Sequence, residues 1–162
     1  MNDAEAIFAR YASDEEVTRY MSWPRHRTVE DTRAFLAFSD EEWSIWPAGP
    51  YLIESRETGE LLGGTGLGFK TNQRAETGYV LARDAWGRGL ATEALTAMIA
   101  LAPQVSVTRL VAYCHPGHDA SRRVLEKGGL AHLGLLRDYL VFPNLPEGSA
   151  TDVLSFELRL ES

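Results

Sequence analysis

Residues 76–94 constrain the fold more tightly than any other stretch of this 162-residue chain. Tyr79, Val80 and Leu81 favour an extended strand, because β-branched and aromatic side chains fit a pleated surface. A short turn holding Gly87, Arg88 and Gly89 follows. Leu90, Ala91, Ala94, Leu95, Met98 and Ile99 then recur with the helical period and predict a helix over 90–102. A strand that enters a helix through two glycines stacks free backbone N–H groups at the helix start, where the macrodipole also favours an anion. Gly87 and Gly89 lack Cβ atoms and let a ligand approach the backbone closely, while Arg88 adds positive charge. The pattern predicts a pyrophosphate cradle. A tight strand-to-helix turn that holds nothing is the other reading it allows.

The remaining pattern frames this unit. Residues 3–13 predict a helix with Ile7, Phe8 and Tyr11 on one side, and residues 14–21 a second short helical turn ending before Trp23-Pro24. Thr28 and Asp31 have the spacing of an N-cap with an acidic N3 partner, opening a helix that runs through Phe35, Leu36 and Phe38 to Trp43 or Trp46. Pro47-Ala48-Gly49-Pro50 stops it. A hairpin is expected from strands at 51–54 and 61–63, and further strands at 76–83, 107–114, 133–142 and 153–160. A helix around 121–127 closes on Gly128-Gly129. Helices first, then strands interrupted by two helices, predict one α+β domain over residues 1–162 built on a mixed sheet.

A second glycine run, Gly63 to Gly68 followed by Phe69-Lys70-Thr71, nearly spells a P-loop. Phe69 stands where that motif needs its lysine, and no helix follows. The dinucleotide fingerprint fails as well, since Phe69 replaces its third glycine. The run reads instead as a strand whose glycines permit a bulge or a close backbone approach. A formal net charge of −7 argues against non-specific nucleic-acid binding and is mildly compatible with a cationic substrate. No window reaches the length of apolar sequence needed to span a membrane. The lone Cys114 cannot form an internal disulfide, and no basic, apolar leader opens the chain; both point to the reducing cytoplasm. The histidines show no metal-ligand spacing, so no metal site is expected.

The segment from Trp86 through Gly87, Arg88, Gly89, Leu90, Ala91 and Thr92 to Glu93-Ala94 closely resembles the acyl-CoA pyrophosphate loop of GNAT-superfamily N-acetyltransferases, in particular the RimJ/RimL-like branch. Residues 13–21 resemble that branch's first helical segment, Ala75 to Tyr79 its central strand, and Ala120 to Leu130 its last helix and the strand after it. Asp152 stands where the branch often carries an aspartate before the closing strand. The resemblance implies a three-layer fold, with a mixed, mostly antiparallel sheet between helices. The family's usual first strand, ahead of the first helix, is missing from the pattern. It implies acetyl-CoA as cosubstrate, with no metal, and direct acetyl transfer to a primary amine on a protein N-terminus or a small molecule. It also makes a homodimer an open expectation.

By the same resemblance, Leu81 and the loop Trp86 to Thr92 hold the cofactor, with His118 and Ser121 beside its pantetheine arm, and Glu76 stands where a general base works through water. Glu76 also reads as a surface strand carboxylate, Ser121 as a first-turn helix serine, and His118 either as a catalytic acid or base titrating near neutrality or as a polar helix-start residue. Three positions depart from the family pattern. Asp84 replaces a Gln or Arg ahead of the loop, His118 replaces an asparagine, and Leu125 stands where many members place a tyrosine acid. Ser121 could donate toward the sulfur in its stead. These departures also allow a catalytically weak acyl-CoA-binding or sensing protein. Trp23, Trp43 and Trp46 are candidates for an aromatic substrate wall.

Overall fold

A computed structural model of the chain describes residues 2–161. Among them, six strands form one open sheet in the order β1-β2-β3-β4-β6-β5. They are β1 (Pro50–Glu54), β2 (Leu61–Thr71), β3 (Arg74–Leu81), β4 (Arg109–Cys114), β5 (Ala131–Val141) and β6 (Ala150–Arg159). All neighbours run antiparallel except β3 and β4. That parallel pair requires a crossover, which helix α4 (Leu90–Leu101) supplies. The sheet is therefore mixed, as the sequence pattern predicts, and mostly antiparallel, as the family resemblance implies.

Three helices precede the sheet. Helix α1 (Asp3–Ile7) is capped by Asn2, whose Oδ1 accepts the Glu5 N–H, and it runs into one π-helical turn over Phe8–Ala12. Helix α2 (Glu15–Thr18) is capped by Asp14, and helix α3 (Val29–Ile45) opens on the Thr28/Asp31 capping box. The expected helix over 3–13 is thus two kinds of helix in series. Ile7, Tyr11 and Val17 pack with Leu36, Leu52 and Val80 on one face of the sheet. On the opposite face Leu95 and Leu125, from α4 and helix α5 (Asp119–Lys127), pack with Ala112, Cys114 and Phe156. No helix among the described residues is long and apolar enough to cross a membrane.

The glycine run 63–68 lies inside β2 and is hydrogen-bonded on both sides, to β1 and to β3. A Cβ at Gly63 would fall 2.0 Å from the Val80 carbonyl oxygen, and one at Gly66 2.8 Å from the Gly49 carbonyl. These glycines let three strands approach closely, and β2 runs on to Thr71, well past the 61–63 expected for it. Strand β4 begins two residues later than expected, because the Val107 N–H bonds the Ala102 carbonyl at 2.9 Å in the turn that precedes it.

Candidate active site

The central feature is a parting of strands. β3 and β4 pair only at Arg74–Arg109, Ala75–Leu110 and Glu76–Val111, and then diverge. The Ala82 N–H bonds the Leu62 carbonyl at 2.8 Å, so even-numbered β3 residues turn their backbone groups toward β2. By the alternation of an antiparallel ladder, Thr77, Tyr79 and Leu81 turn theirs into the wedge. The Leu81 carbonyl is already occupied there, because the Trp86 indole N–H bonds it at 3.0 Å. That contact folds the loop back onto the strand end, although Trp86 remains 46% exposed.

The loop has the geometry its glycines predict. Gly87 and Gly89 take φ of +71° and +75°, in the left-handed region, and a Cβ at either would meet nothing within 4 Å. Glycine is needed there for its dihedral angle, and the space beside the backbone is open to a ligand. Gly89 serves as the N-cap of α4 without any side-chain cap, and the first helical bond is Glu93 N–H to Gly89 C=O. The N–H groups of Leu90, Ala91 and Thr92 therefore have no helical partner. Arg88 is exposed beside them. Asp84 does not oppose an anion freely: both its oxygens accept from Arg10, at 2.8 and 2.9 Å. Those bonds hold its carboxyl below the usual carboxylate range.

Glu76, His118 and Ser121 all line one cavity of about 530 Å³ that passes through the wedge. Glu76 sits on the α3 side, with its carboxylate 3.5 Å from the Lys70 ammonium. Ser121, in the first turn of α5, bonds the Tyr79 phenol: oxygen to oxygen is 2.9 Å, and the phenol lies 3.1 Å from the Ser121 carbonyl. Burial pushes the Tyr79 hydroxyl up to about 12, so it stays protonated at neutral pH. His118 stacks on the Tyr20 ring at 4.8 Å, and His115 stacks on the same ring at 4.9 Å. Burial, with His115 adding to it, lowers the His118 pKa, which leaves the ring neutral at pH 7. His118 is the N-cap of α5, with its carbonyl accepting the Arg122 N–H at 3.1 Å, and its ring makes no capping bond. Cys114 also lines the cavity, but burial pushes its thiol up to about 11, which argues against a nucleophile.

The aromatic wall differs from expectation. Trp23 lines the cavity, whereas Trp46 stacks on Phe69 at 5.0 Å in the core, and the Trp43 indole N–H bonds the Pro50 carbonyl at 3.0 Å. Tyr11, Tyr20, Phe35 and Tyr51 complete the wall. His26 joins it, fixed by a 2.8 Å bond between its Nδ1 and the buried Thr32 hydroxyl. Asn144 ties the 143–149 loop to α2 and the segment after it. Its amide donates to the carbonyls of Thr18 and Trp23, and its Oδ1 accepts the Arg25 N–H. Tyr79 and Tyr113 also line the cavity, beyond the residues that the sequence singles out. The available signal for Tyr79 was its place two residues before Leu81 on the strand edge that faces the wedge.

Residues 1–131 match the sequence model of an acetyltransferase (GNAT) domain. The chain is 31% identical over 161 residues to the uncharacterized N-acetyltransferase p20 of Bacillus licheniformis, covering 98% of this chain and 88% of that protein. A GNAT-family acetyltransferase from Bacillus anthracis superposes with a TM-score of 0.82 at 24% identity, covering 97% of this chain and 89% of the other. RimL, a ribosomal L7/L12 alpha-N-protein acetyltransferase solved in complex with coenzyme A, superposes with a TM-score of 0.82 at 21% identity, over 97% and 88% of the two chains.

Proposed function

The chain belongs to the GNAT acetyltransferase family and is an N-acetyltransferase, and from that premise we propose that it moves the acetyl group of acetyl-CoA directly to a primary amine. The observation that carries this reading is the wedge between β3 and β4, with an open, positively polarised loop at one end and Glu76 at the other. RimL, which shares the fold, was solved with coenzyme A bound. In this reading the N–H groups of Gly87 to Thr92 and the Arg88 side chain hold the pyrophosphate, and the Tyr79 backbone and Leu81 N–H align the pantetheine arm. His118 and Ser121 flank the thioester.

Glu76 accepts a proton from the acceptor ammonium, directly or through one water, and frees the nitrogen lone pair. Nitrogen attacks the thioester carbonyl, the carbon–sulfur bond breaks, the sulfur leaves with the bonding pair, and the nitrogen gives up its second proton, which replaces the one delivered to the sulfur. The Tyr79–Ser121 contact allows two hydrogen arrangements, and one of them supplies an acid. If the Tyr79 phenol donates to the Ser121 carbonyl, the Ser121 hydrogen is consumed on the phenol oxygen. If the phenol donates to Ser121 Oγ, the serine hydrogen is free to turn into the cavity and protonate the sulfur. In that arrangement Tyr79 and Ser121 together supply the proton that the resemblance assigns, in many members, to a tyrosine where Leu125 stands here. Leu125, only 2% exposed, packs in the core. The unpartnered first N–H groups of α5 add a positive dipole end on the same side.

The weak-binder reading rested partly on Asp84, whose charge Arg10 neutralises. The two readings separate in one assay. Release of free CoA thiol, followed with a panel of amines, is expected to depend on the amine and to fall at least tenfold in Glu76→Gln while acetyl-CoA binding persists. Turnover unchanged by that substitution would remove Glu76 from the mechanism.

A further inference from the structure

Beside Glu76 the main cavity opens into a second one of about 350 Å³, lined by Lys70, Arg74, Glu76, Tyr113, Tyr139 and Leu140. Four of these six residues line both cavities. The polar groups here are mostly donors. Arg74 reaches the Tyr113 oxygen at 3.4 Å, and the Tyr139 hydroxyl donates to the same oxygen at 3.4 Å. Tyr113 receives both, so its own hydrogen is free to donate. The Nε of Arg74 is buried with no hydrogen-bond partner, which is a costly state for a guanidinium nitrogen. Lys70 and Arg74 face one carboxylate, Glu76, which is paired with Lys70 alone. Toward β6 the same sheet face adds Arg109 and Arg159 around the single Glu157. In a protein of net charge −7, this face carries more cations than carboxylates.

We propose that Arg74, Lys70 and Tyr113 form an anion subsite for the acceptor, so that the amine acetylated here also carries a carboxylate. The inference rests on the acetyl-transfer reading above, with Glu76 at the amine. Arg74 and Glu76 share a sheet face two residues apart on β3, so their Cα atoms lie about 6.6 Å apart by strand rise. That separation suits an ammonium and a carboxylate held one or two carbons apart, as in an α- or β-amino acid. The guanidinium fork matches a carboxylate in a two-pronged bond, and its buried Nε has no acceptor in the protein to give up. The apolar walls at Trp23, Phe35 and Tyr51 add an apolar body to the description of the acceptor. The overall acidity of the chain, which favours a cationic substrate, is thus reversed locally.

The test compares phenylalanine with phenylalaninamide as acceptors, and N-acetylphenylalanine with its amide as ligands of the CoA-saturated protein. Wild type is expected to favour the acid over the amide by about tenfold or more in kcat/KM and in affinity, the size of one charge-assisted interaction. Arg74→Gln should bring the acid-to-amide ratio close to one through KM rather than kcat, and Arg74→Lys should recover part of it. Melting temperatures of the variants report whether they fold. A wild-type ratio at or below one, in turnover or in ligand affinity, would overturn the subsite. So would an equal loss on acid and amide in Arg74→Gln. A protein that fails to bind CoA at all contradicts the cofactor reading instead, and the ligand comparison, repeated without CoA, still decides the subsite.

Discussion

Gly89→Ala isolates the loop from everything else in the site. Gly89 sits at φ +75° and ψ 7°, and its added methyl would meet no atom within 4 Å. The substitution therefore acts through the backbone alone: a left-handed conformation disfavours an L-residue by about 1–2 kcal/mol. If the loop keeps its shape, the whole amount falls on stability, and a chain of this length should melt roughly 2–8 °C lower. If the loop relaxes in the free protein, acetyl-CoA must restore the strained shape, and its Kd should rise by about five- to thirtyfold. Gly129→Ala is the matched control, because Gly129 has φ +87° and equally open space but lies past the end of α5. Any narrowing of the unfolded chain by alanine is shared by both variants. Thermal melting and calorimetric titration with acetyl-CoA measure the two quantities. If Gly89→Ala weakens acetyl-CoA no more than Gly129→Ala does, while its stability is unchanged, the loop is not a strained cradle and the reasoning fails.

The Tyr79–Ser121 pair predicts non-additivity: Tyr79→Phe and Ser121→Ala should each lower kcat by about ten- to a hundredfold, and the double variant by little more than either. Independent, additive losses in rapid-quench single turnovers would separate the two hydroxyls. Arg10→Ala should release the Asp84 charge beside the loop and weaken acetyl-CoA several-fold at low ionic strength; adding Asp84→Asn should restore affinity. Burial lowers the pKa of His26, His115 and His118 in the folded state. The unfolded chain therefore takes up protons first, so their contribution to stability is complete above about pH 6.5 and is lost as pH falls below it. Denaturant melts between pH 5 and 8 should show that slope, and His118→Gln should flatten part of it.

The sequence reading was strongest where local chemistry decides structure. Gly87 and Gly89 mark a turn open to close approach, the Thr28/Asp31 spacing marks its capping box, and the rejection of a P-loop at Gly63–Gly68 follows from Phe69. The sheet order and the parting of β3 from β4 depend on long-range pairing, which strand propensity does not encode. Pairings between distant segments were equally hidden. Nothing local shows that Arg10 reaches across 74 residues to Asp84, or that Asn144 ties its loop to Thr18 and Trp23. Tryptophan positions suggested an aromatic wall, but hydrophobicity alone could not separate Trp23 in the cavity from Trp46 stacked on Phe69. Tyr79 carried a strand signal that gave no hint of its hydroxyl partner on α5.

The most direct test of the account is the position of the pyrophosphate, read from backbone amide shifts of the 15N-labelled protein titrated with CoA. The account predicts saturable shifts concentrated at Gly87 to Thr92 and along Thr77 to Leu81, with the sites around Trp23 and Phe35 little changed. Saturable binding that shifts the Trp23 and Phe35 region while leaving Gly87 to Thr92 unmoved would contradict it.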